Sequence, residues 1–179
     1  SGQPCLENVR ESEAETASLA GGIYAAPIDL TYICTFYNED IFAQYDLSVP
    51  ATWQEFLDVC QRLKNEGITP ISLCYKDTWI QSLIPYALSA TTIYRENPDF
   101  DREMAEGLRH FNGPEWEETM QMLKTLIDSG YVTENYLQTT YDQQLRAFAN
   151  GRAAMMVMGS WAVSMIRSME PSCRLGLFI

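Results

Sequence analysis

Apolar positions along this chain follow two rhythms. Trp53, Phe56, Leu57, Cys60 and Leu63 recur at helical spacing and make one apolar face. Trp116, Met120, Leu123 and Ile127 repeat that pattern further on. Ala153 to Met158 is instead an unbroken apolar run, which suits a strand buried on both faces. Tyr32 to Tyr37 and Ile68 to Tyr75 are rich in β-branched and aromatic residues and read as strands, the second of them buried. Ile23 to Pro27 reads as a short strand leading into Asp29, and Leu175 to Ile179 as the last one.

Caps and breakers divide these runs. Asn38-Glu39-Asp40 opens a short helix through Phe42 and Tyr45. Thr52-Trp53-Gln54-Glu55 is a capping box, in which the Thr52 hydroxyl accepts from the Glu55 N–H and the Glu55 carboxylate reaches back to Thr52. Thr140-Tyr141-Asp142-Gln143 is a second candidate. Gly67, Gly130 and Gly151 stand where the helices should stop. Pro114 suits a first helical position. A helix from about Trp79 to Ala90 contains Pro85, so a kink or break is expected there. Asp101 to His110 reads as a weaker helix. Gly159-Ser160 turns the chain into a helix over Trp161 to Arg167. Strands alternate with helices, so the class is α/β. No repeat or low-complexity segment interrupts the pattern.

Charge and cysteine content narrow the function classes. The 179 residues are enough for one domain with a real core. The formal net charge is −12, a surface that repels phosphate backbones and excludes nucleic acid as the expected partner. No apolar run reaches bilayer-spanning length. Cys5, Cys34, Cys60, Cys74 and Cys173 are scattered, and His110 is the one histidine. Structural zinc needs clustered thiolates or imidazoles, so neither a metal nor another cofactor is expected. Cys34, Cys60 and Cys74 read as small, buried and inert.

No nucleophile elbow, phosphate loop or dinucleotide fingerprint is present, so no catalytic residue is assigned. The aromatics carry more information. Trp79, Trp161, Tyr32 and Tyr37 fall at strand ends or helix starts. In open α/β sheets, ligands bind in the crevice beyond the strand carboxyl ends. An aromatic face offers apolar contact to the C–H face of a sugar while polar side chains take its hydroxyls. Asp77 and Asp29 stand close in sequence to Trp79 and Tyr32 as such acceptors. Trp53 and Trp116 lie on helical stripes and read as core, as does Tyr37. Gly159-Ser160 precedes a helix whose N–H groups could bind an anion or hydroxyl oxygen, the other reading being a plain Ser160 cap.

Three stretches carry a family resemblance. They are Gly22-Ile23-Tyr24 through Pro27 and Asp29 to Phe36-Tyr37-Asn38-Glu39-Asp40-Ile41-Phe42; Val49-Pro50-Ala51-Thr52-Trp53-Gln54-Glu55-Phe56 with Gly67-Ile68-Thr69-Pro70-Ile71; and Ala147-Phe148-Ala149-Asn150-Gly151-Arg152-Ala153-Ala154-Met155-Met156 with Gly159-Ser160-Trp161. In this order they resemble the family 1 extracellular solute-binding proteins of ABC importers, the group that includes maltose-binding protein. Tyr24-Ala25-Ala26-Pro27 departs from the family's glycine-containing turn.

The resemblance implies a periplasmic-binding-protein-like (type II) α/β lobe, with a mixed sheet flanked by helices. Residues 22–179 would be the second of two hinged lobes, incomplete at its C-terminal end, and residues 1–21 a connector from a first lobe. The implied ligand contacts are Trp79, Trp161, Asp77, Asp29 and Tyr32, with Lys76 in the same loop as Asp77. The implied function is capture of a sugar or oligosaccharide and delivery to the membrane permease of an ABC importer. The implied location is extracytoplasmic, as a cell-surface lipoprotein or in the periplasm. The residues leave open a different solute such as a polyamine, and a carbohydrate-active hydrolase. An unfinished sheet would also favour self-association.

Overall fold

The computed structural model describes residues 18–19, 22–25 and 29–179. Cys5, Pro27 and all of the expected connector except Ser18 and Leu19 lie outside the described residues. The chain divides into two compact units, residues 1–32 and 33–179. In the first, strands β1 (Ser18–Leu19) and β2 (Gly22–Ile23) pair antiparallel. The strand expected from Ile23 onward thus ends at Ile23, and Tyr24 and Ala25 are exposed outside it.

The second unit is built on a sheet of order β4-β5-β3-β6. Its strands are β3 (Ile33–Asn38), β4 (Thr69–Ile71), β5 (Ala153–Gly159) and β6 (Leu175–Phe178). β5 pairs parallel with β4 and antiparallel with β3, and β3 pairs antiparallel with β6. The helices are α1 (Glu39–Gln44), α2 (Trp53–Asn65), α3 (Leu83–Ser89), α4 (Phe100–Ala105), α5 (Pro114–Asp128), α6 (Tyr141–Ala149) and α7 (Ala162–Met169).

Strand alternation separates two apolar layers. Met155 and Val157 of β5 join Val59, Cys60 and Leu63 of α2, Ile84 of α3 and Leu126 of α5. Met156 and Met158 join Cys34 and Phe36 of β3, Leu145 and Phe148 of α6, and Ala162 and Ile166 of α7. Every residue of β5 is buried, as its unbroken apolar run requires. The sheet is therefore covered on both faces. A third cluster holds Ile93, Phe100 and Trp116, which bears out the core reading of Trp116.

Local signals are met with instructive exceptions. Gly67, Gly130 and Gly151 all take positive φ just past a helix, the conformation that glycine adopts without steric cost. Asn38 caps α1 through Oδ1, which accepts from the N–H groups of Asp40 and Ile41. The Thr140 capping box is complete. At Thr52 the hydroxyl accepts from Glu55 as expected, but the Glu55 carboxylate takes the Ala51 N–H at 2.7 Å, one residue earlier. The break expected in the helix around Pro85 is present as a change of helix type. The segment is a 3₁₀ turn (Thr78–Ser82), then α3, then a π turn (Ala90–Tyr94), and Pro85 falls in the first turn of α3, where its missing N–H costs nothing. Met120 is exposed rather than packed, and Thr119 is buried instead, sharing a 2.6 Å hydrogen bond with Thr92.

The buried strand expected from Ile68 to Tyr75 is only β4. Pro70 has no N–H, and although the Ser72 N–H still donates to the Met155 carbonyl of β5, the N–H groups of Ile71, Leu73 and Tyr75 go to the segment after α5. Ile71 bridges to Val132, the Leu73 N–H donates to Thr133 Oγ1, and the Tyr75 N–H donates to the Tyr136 carbonyl. Residues 72–74 are buried all the same.

Candidate functional site

Two segments leave the sheet at the carboxyl ends of the parallel strands β4 and β5. The segment after β4 is held to the start of α6 by a buried polar network. Gln144 Nε2 donates to the Ser72 carbonyl at 2.8 Å, the Ser72 hydroxyl donates to the Gln144 carbonyl at 3.1 Å, and Cys74 Sγ lies 3.0 Å from Gln144 Oε1. These three bonds, two to backbone carbonyls and one between side chains, tie the segment to α6 in a buried setting. Burial, aided by the Asp77 charge, pushes the Cys74 thiol up to about 12, so it stays protonated and able to donate.

The network delivers Asp77 and Trp79 to the N-terminus of α6. Asp77 Oδ2 accepts the Tyr141 N–H at 2.6 Å. That N–H is one of the groups that the helix itself leaves unsatisfied, and a carboxylate there is favoured by the helix dipole. One Asp77 oxygen therefore has a structural duty that its sequence position did not announce. Trp79 is the second residue of the 3₁₀ turn and stays 48% exposed, while its neighbour Ile80 is buried and anchors the turn. Lys76 is exposed in the same loop.

Trp161 arrives from β5. The strand ends at Gly159, and Trp161 stands at the cap position of α7 with 38% exposure. The helix starts one residue later than expected, so Ser160 is not its cap and Trp161 makes no capping bond.

Tyr141 joins the two tryptophans. Its ring meets Trp79 edge-on, with centroids 5.2 Å apart and planes at 74°, and the two indoles stand 6.1 Å apart at 46°. Trp161 Nε1–H donates to the Tyr141 hydroxyl at 3.1 Å, and that hydroxyl donates onward to Met165 Sδ at 3.4 Å. Burial raises the Tyr141 phenol above its ordinary value, against a smaller downward pull from the Trp161 N–H, so it keeps its proton at neutral pH. The sequence had marked Tyr141 only as a member of a capping box.

The structure thus brings together Asp77, Trp79 and Trp161 of the expected site, with Tyr141 added. Asp29 and Tyr32 belong to the first unit. Both are exposed, and the Asp29 carboxylate accepts the Leu30 N–H at 2.8 Å. Among the described residues, no cluster of His, Cys, Asp or Glu is arranged to hold a metal ion, and no helix is long and apolar enough to cross a membrane.

Residues 8–177 match the family model for bacterial extracellular solute-binding proteins. The chain belongs to that family. Among curated relatives, this solute-binding-protein chain is 27% identical to the multiple sugar-binding protein of Streptococcus mutans, over 99% of its own length and 43% of the relative's. Among solved structures, a chitin oligosaccharide binding protein is 30% identical with a TM-score of 0.79, over 92% of this chain and 41% of that one. A structure described as SBP RafE in complex with raffinose is 25% identical with a TM-score of 0.79, over 100% and 47%. These likenesses bear out the expected type II α/β fold with its mixed sheet. The chain spans less than half the length of each of these relatives.

Proposed function

We propose that this chain is the sugar-contacting lobe of a solute-binding protein that captures a saccharide outside the cytoplasm and passes it to the permease of an ABC importer. The observation that carries the reading is the aromatic corner of Trp79, Tyr141 and Trp161, half-exposed at the strand carboxyl ends. Large aromatic faces left in water at that end of an α/β sheet suit an apolar, C–H-rich ligand surface. The sugars printed in the relatives' descriptions, raffinose and chitin oligosaccharide, fit that chemistry.

In this reading Trp79 and Trp161 supply stacking area. Asp77 holds the corner together through Oδ2 and has its other oxygen for a ligand hydroxyl. Asp29 and Tyr32 enter as ligand contacts on the family resemblance alone. Residues 22–179 act as the second of two lobes, and a hinge closes them by population shift without a covalent step. The protein is then a receptor and not an enzyme.

A thermal-shift screen of the intact protein against raffinose, chitin oligosaccharides, amino acids and polyamines tests this. A ligand that binds only the folded state raises the midpoint by mass action. A shift with a saccharide supports the reading. A shift with polyamines alone would keep a receptor and remove the sugar, and turnover of a chromogenic glycoside would make the protein a hydrolase.

A further inference from the structure

Resting on the sugar-receptor reading, the geometry points to Tyr141 as the residue that donates a hydrogen bond to an oxygen of the ligand, with Met165 holding that proton while the site is empty. A phenol has one proton to give and lone pairs to receive. Here a lone pair is taken by the Trp161 Nε1–H at 3.1 Å. That bond fixes the direction of the relay. Trp161 can only donate, so it brings its π face and no polar atom to the ligand. Tyr141 is left as the donor at the end of the chain.

The acceptor it has is a poor one. A thioether sulfur is a weak acceptor, and Met165 Sδ lies 3.4 Å from the phenol oxygen. Met165 is also 39% exposed, in contrast to Met155, Met156 and Met158, which are fully buried in the core. A sugar hydroxyl or ether oxygen arriving at the corner would accept more strongly than sulfur. The exchange loses little and satisfies the ligand oxygen, which would otherwise be desolvated without a partner. A protonated polyamine offers no acceptor and gains nothing from this donor. Tyr141 thus selects for ligands with oxygen acceptors, a task distinct from the stacking on the tryptophans.

The experiment compares wild type, Trp161→Ala and Tyr141→Phe of the intact protein by titration with raffinose and with chitotriose. Phe keeps the ring that packs on Trp79 and removes only the hydroxyl. The expected result is about tenfold weaker saccharide binding by Tyr141→Phe, about one good hydrogen bond. Its Trp161 indole N–H resonance should also shift in the ligand-free protein. Binding lost in Trp161→Ala but unchanged in Tyr141→Phe would overturn the donor role and leave the receptor reading standing. No binding of either saccharide by wild type would overturn both.

Peroxide supplies an independent readout. It transfers one oxygen atom to the Met165 sulfur and leaves as water, and the sulfoxide oxygen is a far better acceptor than the sulfide. Oxidised wild type should then hold the Tyr141 proton and bind saccharide several-fold more weakly. Met165→Leu should lose that response while exposed Met120 still oxidises. An oxidised wild type that binds as before would contradict the relay.

Discussion

The indole of Trp161 lies across Gly159, so close that a methyl group on Gly159 would overlap three of its ring carbons. Gly159 is the last residue of β5 and pairs with Ile33. Its backbone needs no special φ, so its value is the absence of a side chain. The bare strand end is what lets the indole fold back toward Tyr141.

Gly159→Ala should therefore expel the Trp161 ring while β5 still forms. The expected stability cost is about 1–3 kcal/mol, typical of overpacking. Saccharide affinity should fall at least as far as in Trp161→Ala. Titration calorimetry together with the Trp161 indole resonance reads both effects.

Gln144→Leu should loosen the same site from behind. It leaves the Ser72 carbonyl and the Cys74 thiol without their partners in a buried setting. A cost of about 1–3 kcal/mol is expected in urea denaturation. Affinity should fall as well, because Asp77 and Trp79 lose their fixed distance from α6.

Thr140→Ala removes the cap of α6, whose first residue is Tyr141. Loss of such a cap costs about 0.5–2 kcal/mol. Fraying would be felt at the Trp161–Tyr141 bond before the core notices it, so the indole resonance should broaden at temperatures well below the unfolding midpoint.

Alkaline pH should destabilise the fold. Burial pushes the Cys60 and Cys74 thiols up to about 12, from 9.0 in the open chain, and the Tyr75 phenol up to about 12, from 10.0. Between those values the unfolded chain has given up protons that the folded chain retains. Stability then falls as pH rises, from about 9 through about 12, and is fully present below 9. Urea midpoints measured across that range should decline, and Cys60→Ala should flatten part of the slope. A midpoint flat to pH 11 would contradict the burial of these groups.

Much of the fold was legible because its signals are local. Thr140, Pro114 and Gly130 mark helix ends by what one residue does to its own backbone, and the unbroken run of β5 reports burial on both faces. Trp79 and Trp161 could be proposed from their places at element ends. Other features depend on distant partners. Tyr141 looked like a helix-start residue because nothing nearby in sequence reveals Trp79, Asp77 and Trp161 around it. The strand expected to continue through Tyr75 ends at Ile71, and past Ser72 the N–H groups of Leu73 and Tyr75 go to the segment after α5 rather than to β5. Met120 kept helical spacing yet faces out, since Thr119 finds a hydroxyl partner in Thr92 and fills the inner position.

Titration of a saccharide into the intact protein and into its Trp161→Ala variant tests the receptor reading most directly. Removing the indole should weaken binding by ~1–3 kcal/mol, the contribution of a buried aromatic face. Equal affinity in the two proteins would mean that the aromatic corner is not where the ligand sits.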